Sequence, residues 1–235
     1  MKIKFIVLAF LSVSVSLFSQ VEKFNALLKN NITNKGVVNY KGILENKTDL
    51  TNYIDYLSQT TPKKSWSDEK KKAFWINAYN AYTILIIIDN YPLSSILKIN
   101  SKGKDAWHQD IAIVGGEKYT LNAIEHEILR KEFSDPRIHV GVNCASYSCP
   151  PILNKAFTEE NVEVELERLM KNFINDSTRN LITSKKVTLS KIFDWYKADF
   201  IKNESLVSYI DNFTNVSLTK KTKVRYMEYN WNLNE

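Results

Sequence analysis

Cys144 and Cys149 stand in Asn143-Cys144-Ala145-Ser146-Tyr147-Ser148-Cys149-Pro150, and His126 and His139 precede them closely in the chain. A thiol becomes a useful nucleophile when a nearby imidazole or cation favours its thiolate, and a carboxylate can then orient the imidazole. Cys144, either histidine and Glu125 can supply these three roles. Glu125 is singled out by position: on a helix of about 100° per residue it falls about 40° from Leu121, within the apolar face of Leu121, Ile124 and Ile128. A carboxylate on a buried stripe must be paired, hydrogen-bonded or protonated. It is therefore either an orienting or basic group of a site, or a salt-bridge partner of Arg137 or His139. Asn77 and Asn80 pose the same question, because they share one stripe of a largely apolar helix with Ala73 and Ile84. Such amides either hold loop backbone in place or polarise a substrate, as Arg137 could also do.

The cysteines carry a competing reading. In an exported chain an even pair is expected to form a disulfide, and a Cys144–Cys149 bridge would close a very short loop, contributing only about 2 kcal/mol. Thiol–disulfide exchange is a further reading, weakened by a spacing longer than Cys-x-x-Cys. A metal site is not expected: His126-Glu127-Ile128-Leu129-Arg130 lacks a second histidine at i+4, and His108 is isolated. Gly115-Gly116 lacks the glycines and lysine of a phosphate loop. No cofactor is expected, and the partner is a peptide or small-molecule substrate.

These residues need elements to carry them. Residues 21–59 read as two helical stretches separated at Asn34-Lys35-Gly36, followed by a longer helix over Ser67–Asn90 that starts on a Ser-Asp-Glu cap. Its second half is apolar all round, so Ile84–Ile88 also suits a buried strand. Ile111–Val114 and Glu117–Thr120 form a hairpin around the glycine pair. A helix over Leu121–Phe133 stops at Ser134-Asp135-Pro136, and Arg137–Val142 alternates as a short strand. Thr158 caps a helix to Asn175; Leu181–Leu189 is a second hairpin, followed by two short helices and a terminal strand over Val224–Trp231. The fold class is α+β, a predominantly helical single domain over residues 21–235 with a small antiparallel sheet. A papain- or transglutaminase-type fold would suit the chemistry, although both histidines precede the cysteine here.

Composition limits the function classes. The 235 residues are 44% hydrophobic with 11 Phe, 12 Tyr and 5 Trp, enough for one good-sized core, which excludes a disordered chain. The formal net charge is +6 with both signs interspersed, and Lys70-Lys71-Lys72 and Lys220-Lys221 read as short solvated runs, so no nucleic-acid partner is expected. Lys2 and Lys4 before an apolar run Phe5–Phe18, then Ser19-Gln20, have the order of a secretory signal over residues 1–20. The expected location is periplasmic or secreted, with no transmembrane segment after cleavage.

Four motifs also stand together: Phe74-Trp75-Ile76-Asn77-Ala78-Tyr79-Asn80-Ala81, Ile124-Glu125-His126 with Leu129-Arg130, Asp135-Pro136-Arg137-Ile138-His139, and Cys144-Ala145-Ser146-Tyr147-Ser148-Cys149-Pro150-Pro151. In order and spacing they resemble the domain of unknown function 547 family. The likeness covers about residues 73–213, and Tyr229-Asn230-Trp231-Asn232-Leu233-Asn234 resembles that family's closing strand. Val140-Gly141 departs from the family's usual aromatic–alanine pair, a difference that bears on pocket shape. The resemblance implies no established reaction. It implies that Asn77, Asn80, Glu125, His126, Arg137, His139 and Cys144 converge on one cleft, and some plant members that keep the Cys144 position without that of Cys149 favour an individual role for Cys144. Two readings result: a thiol-dependent hydrolase or acyltransferase, and a non-catalytic binding or scaffold domain.

Overall fold

The computed structural model describes residues 20–235, so the expected signal segment lies almost wholly outside the described residues. The centre is helix α4, Asp68–Asp89, whose Ser67 hydroxyl caps Lys70 N and whose first turn carries Asp68 and Glu69. Sixteen of its 22 residues are buried, including all of Lys72–Ile84. A helix apolar all round must be enclosed by other elements; the alternative of a strand at Ile84–Ile88 does not occur. Helices α1 (20–31), α2 (Tyr40–Glu45) and α3 (Thr48–Gln59) clad one side. Helix α3 buries Leu50, Tyr53 and Leu57, and Tyr53 stacks on Phe24 of α1 with centroids 4.1 Å apart.

After a short hairpin, β1 (Asn100–Ser101) with β2 (Lys104–Asp105), the expected glycine hairpin forms from β3 (Ala112–Val114) and β4 (Glu117–Tyr119). Gly115 and Gly116 both have positive φ, as a type I′ turn requires, and a Cβ on Gly115 would lie 2.5 Å from Thr61 Oγ1. Tyr82 of α4 fixes the hairpin, donating to Ile113 O and accepting from Ile113 N.

Helix α5 spans 121–133, but its middle, Ile124–Leu129, is π-helical, and the amide of Arg130 reaches back to the carbonyl of Glu125. The expected strand Arg137–Val142 is instead a single buried helical turn, α6 (Ile138–Gly141). Asp135 Oδ1 accepts from Arg137 N, and Ile138 N and His139 N bond to the carbonyls of Asp135 and Pro136, which starts a turn at the Asp-Pro pair. All four residues of α6 are buried, so no polar face marked a helical period.

Helix α7, Val162–Asn175, begins four residues after Thr158. Asn161 Oδ1 accepts from Thr158 N, and an extra turn precedes the helix. Strands β5 (Leu181–Ile182) and β6 (Lys186–Leu189) form the second hairpin. Three short helices follow, α8 (Ile192–Trp195), α9 (Lys197–Phe200) and α10 (Leu206–Asp211), where two were expected. Strand β7, Lys223–Tyr226, pairs parallel to β6, so the expected antiparallel sheet contains one parallel ladder. The architecture is α+β and mostly helical, and no helix of the described residues is long and apolar enough to cross a membrane.

Lys72, expected to be solvated, is only 7% exposed. Its Nζ lies 2.9 Å from Asp135 Oδ2 and 2.6 Å from Glu163 Oε1, and Arg137 bonds the same two carboxylates at 2.8 and 2.5 Å. This cluster ties α4, the α5–α6 turn and α7 together. Burial opposes ionisation of Asp135 and Glu163, but hydrogen bonds from Arg137 and Lys72 hold both below the usual carboxylate range. Burial likewise opposes the Lys72 charge, and its two carboxylates raise its pKa. The carboxylate contribution is therefore present above about pH 4 and lost as pH falls through the lower folded values; that of Lys72 is present below about pH 10 and lost above its raised value. Lys72→Met should lower stability at pH 7 by about 3 kcal/mol and flatten the acid limb of a urea-unfolding stability curve. Superimposable curves for variant and parent would show that the cluster does not stabilise the fold.

Candidate active site

The π-helical turn widens α5 where Glu125 leaves it and directs that side chain inward, a local device common at functional sites. Glu125 is 5% exposed and lines a cavity of about 100 Å³ together with His139, Cys144 and Cys149. Tyr79, Trp107, Trp195, Tyr196, Tyr229 and Trp231 supply aromatic walls. A larger open groove, about 560 Å³, runs beside Ile32–Tyr40 and contains none of the candidate residues.

His139 is almost fully buried, and its ring stacks on Tyr196 with centroids 3.9 Å apart. Its Nε2 bonds Asp199 Oδ2 at 2.8 Å, while its Nδ1 is buried without a hydrogen-bond partner, 4.0 Å from Glu125 Oε1. Asp199, not Glu125, therefore orients this imidazole. Asp199 also takes a two-point bond from Arg130, at 2.6 and 3.0 Å. Although burial acts against it, these bonds from His139 and Arg130 hold the Asp199 carboxyl well below its usual range. Its ionised form places a proton on His139 Nε2, so that in the neutral ring Nδ1 is the acceptor. His126 lies behind the site. Arg130 Nη1 is 2.7 Å from its Nδ1, and burial, reinforced by the Arg130 charge, lowers its pKa.

Cys144 sits in a loop held at every residue. Ala145 has φ +59°, a left-handed conformation that costs a non-glycine residue about 1 kcal/mol. It is stabilised by Ala145 N donating to Asn143 Oδ1 and by the C-terminal segment, which forms a bridge between Leu233 and Ser146 and bonds Asn232 O to Tyr147 N. Arg179 donates to the carbonyls of Tyr147 and Cys149.

Both cysteines are free, and the Cys144–Cys149 disulfide of the alternative reading is not formed: the sulfurs are 3.1 Å apart, against about 2.05 Å in a bond. Cys149 Sγ lies 3.1 Å from Cys144 Sγ and accepts from Cys144 N at 3.2 Å, and its S–H turns to donate once Cys144 is ionised; Ser146 Oγ and Tyr229 Oη lie 3.2 and 3.3 Å from Cys144 Sγ, and Ser146 donates to Tyr229. Hydrogen bonding to the thiolate, led by Cys149 and aided by Tyr229 and the Ser146 main chain, pulls the Cys144 thiol down to about 7 against its burial. Cys149 is pushed up by burial and by the neighbouring Cys144 charge, and Tyr229 by burial and then by Cys144, so both keep their protons as donors. No hydrogen bond joins Cys144 to a histidine among the described residues.

Glu125, His139, Cys144 and Cys149 thus meet at one cavity, and the remaining candidates sit elsewhere. Asn77 donates to Phe157 O at 2.7 Å and accepts from Phe157 N at 2.9 Å; Asn80 donates to Gly141 O and accepts from Asn143 N, each at 2.9 Å. Arg137 belongs to the Lys72 cluster and also reaches Glu167. Asp199, Arg130, Ser146 and Tyr229 were not singled out from the sequence. The spacing Arg130–His126 (i, i+4) was a usable signal for one of them; Tyr229 stood in the closing-strand motif with no site role, and Asp199 comes from a distant segment with no local mark.

Tyr229→Phe removes a donor to Cys144 while keeping the ring. Its pH profile of iodoacetamide alkylation at Cys144 should move up towards the unperturbed thiol value of about 8.5, with Cys149 unmodified in both proteins. An unchanged profile would exclude the phenol as a thiolate donor.

No curated protein and no solved structure matches the chain. Residues 63–174, which carry all four motifs from Phe74 to Pro151, match the family described as "Protein of unknown function, DUF547", in agreement with the resemblance drawn from those motifs.

Proposed function

We propose that the protein is a thiol-dependent hydrolase or acyltransferase with Cys144 as nucleophile. The observation that carries the reading is the convergence of Cys149 Sγ and Tyr229 Oη on Cys144 Sγ, in a cavity shared with the unpartnered Nδ1 of His139. The Cys144 proton passes to His139 Nδ1, and the resulting imidazolium is stabilised by Asp199. The sulfur attacks a carbonyl carbon. As the bond to the leaving group breaks, the leaving group takes that proton from His139, and an acyl-thioester remains. Water or an amine then attacks the thioester and gives a proton to His139, which returns it to the departing sulfur. Glu125, 4.0 Å from Nδ1, faces the same proton. The lysines and apolar run of residues 2–18 support a reaction outside the cytoplasm.

A non-catalytic binding domain is the second reading, favoured by Asn77, Asn80 and Arg137 having their polar groups engaged within the fold. The two separate by covalent capture. Incubation with activated esters and thioesters should yield an acyl adduct on Cys144 by mass spectrometry. Cys144→Ala should abolish it, and His139→Gln should slow its turnover about 10²- to 10⁴-fold with the fold retained. Turnover that survives intact in Cys144→Ala, or the absence of any adduct across the panel, would contradict the proposal.

A further inference from the structure

We infer that the cavity beside Cys144 receives an alkylammonium group, held between the Glu125 carboxylate and the aromatic wall formed by Trp107, Trp195 and Trp231. The inference names the substrate class of the reaction proposed above; it rests on that reading for the chemistry after binding, though not for binding itself.

Charge points first to a cation. Glu125 and Asp199 are two carboxylates, and the cation bonded to Asp199 is Arg130, already shared with His126. No Lys or Arg lines the cavity among the described residues. Glu125 has the Tyr196 hydroxyl as its hydrogen-bonding neighbour, and His139 Nδ1 stands 4.0 Å away. The Arg130 charge acts on Glu125 from outside the cavity, so a cation inside it would be the first counter-charge on the cavity side of this buried carboxylate. An ionised Cys144 adds a second negative charge to the same space.

Hydrogen-bond geometry narrows the class. His139 Nδ1, which has no partner, and Glu125 Oε1 are 4.0 Å apart, and with the ring neutral both accept. A nitrogen about 2.9 Å from each bonds both at once if it carries two or more protons, as an ammonium group does. A carboxylate or carbonyl in the same position would face two acceptors.

The walls supply the third term. Trp231 lies 5.9 Å from Trp107 and 5.7 Å from Trp195, and Tyr229 packs against Trp195 and Trp231 at 4.8 and 4.6 Å. Indole faces attract cations and tolerate an alkyl arm. At about 100 Å³ the cavity holds about three water volumes, room for an ammonium head on a short chain. The tip of a lysyl side chain and a small free amine share this chemistry.

The test uses the full chain and its Cys144→Ser variant, so that binding is read without thiol chemistry. Tryptophan fluorescence is titrated with n-butylammonium, n-butanol and butyrate, then with Nα-acetyl-lysine methylamide and its Nε-acetylated form. Butylammonium should bind about tenfold or more tighter than butanol, with butyrate weakest. Glu125→Gln should erase the preference for charge, and Trp195→Ala, at an exposed wall, should weaken butylammonium several-fold with the circular dichroism unchanged. If Glu125→Gln does not fold, Trp195→Ala and the loss of preference at high salt decide the matter. Tight binding of the lysine derivative that acetylation removes assigns a lysyl source, and binding of butylammonium alone assigns a small amine. Equal binding of the three butyl probes, or a preference for butyrate, overturns the inference. Failure of the acyl-adduct experiment with ammonium binding intact would overturn the reaction alone.

Discussion

Two amide side chains on the buried helix α4 each close a two-way hydrogen bond with main chain flanking the cysteine loop. Asn80 bonds Gly141 O and Asn143 N, the residues on either side of the turn into the cysteine loop, and Asn77 bonds both groups of Phe157, just past that loop. At about 1 kcal/mol for each bond, and more for each buried group left unpaired, the four bonds outweigh the strain of the loop they bracket. Cys144 can hold its place because the helix behind it is a rigid reference. The Lys72 cluster does the same on the other side, tying α4 to the turn from which α6 carries His139.

The site itself is a division of labour between two donor systems. His139 is oriented by Asp199, which is held ionised by Arg130, which in turn bonds His126. Cys144 is served by Cys149, Ser146 and Tyr229, and Tyr229 arrives from the C-terminal segment that also pairs with the cysteine loop. The familiar thiol–imidazole pair is thus separated into two polarised halves facing one cavity, with Glu125 between them. The thiol and hydroxyl donors ease removal of the Cys144 proton, and His139 Nδ1, which has no other partner, is the group left to accept it.

Much of this was legible in the chain. The capped and wholly apolar α4, the glycine hairpin and the inward position of Glu125 follow from local pattern, because cap chemistry, turn dihedrals and helical periodicity are near-neighbour properties. Asn77 and Asn80 were visible as polar groups on a buried stripe, and the structure uses them on loop backbone. The strand expected at Arg137–Val142 failed because a turn buried on all sides shows no period, and alternating Ile138, Val140 and Val142 then imitates a strand. Asp199 and Tyr229 were not legible. Each meets its partner across 60 or more residues; nothing near Asp199 marks it apart from other acidic residues, and the closing-strand motif around Tyr229 says nothing of which group its hydroxyl meets. The solvated reading of Lys72 failed for the same reason, since both its carboxylates come from distant elements.

The central claim is that one cysteine of the pair is a stabilised thiolate and the other its buried donor. Titration of protein labelled with ¹³Cβ-cysteine, followed by NMR from pH 5 to 10, tests it without any substrate or reagent. The account predicts two reduced-cysteine resonances, with that of Cys144 titrating near pH 7 and that of Cys149 remaining in its thiol form throughout. Two resonances that titrate together near the unperturbed value of about 8.5, or two at disulfide shifts that never titrate, would contradict it.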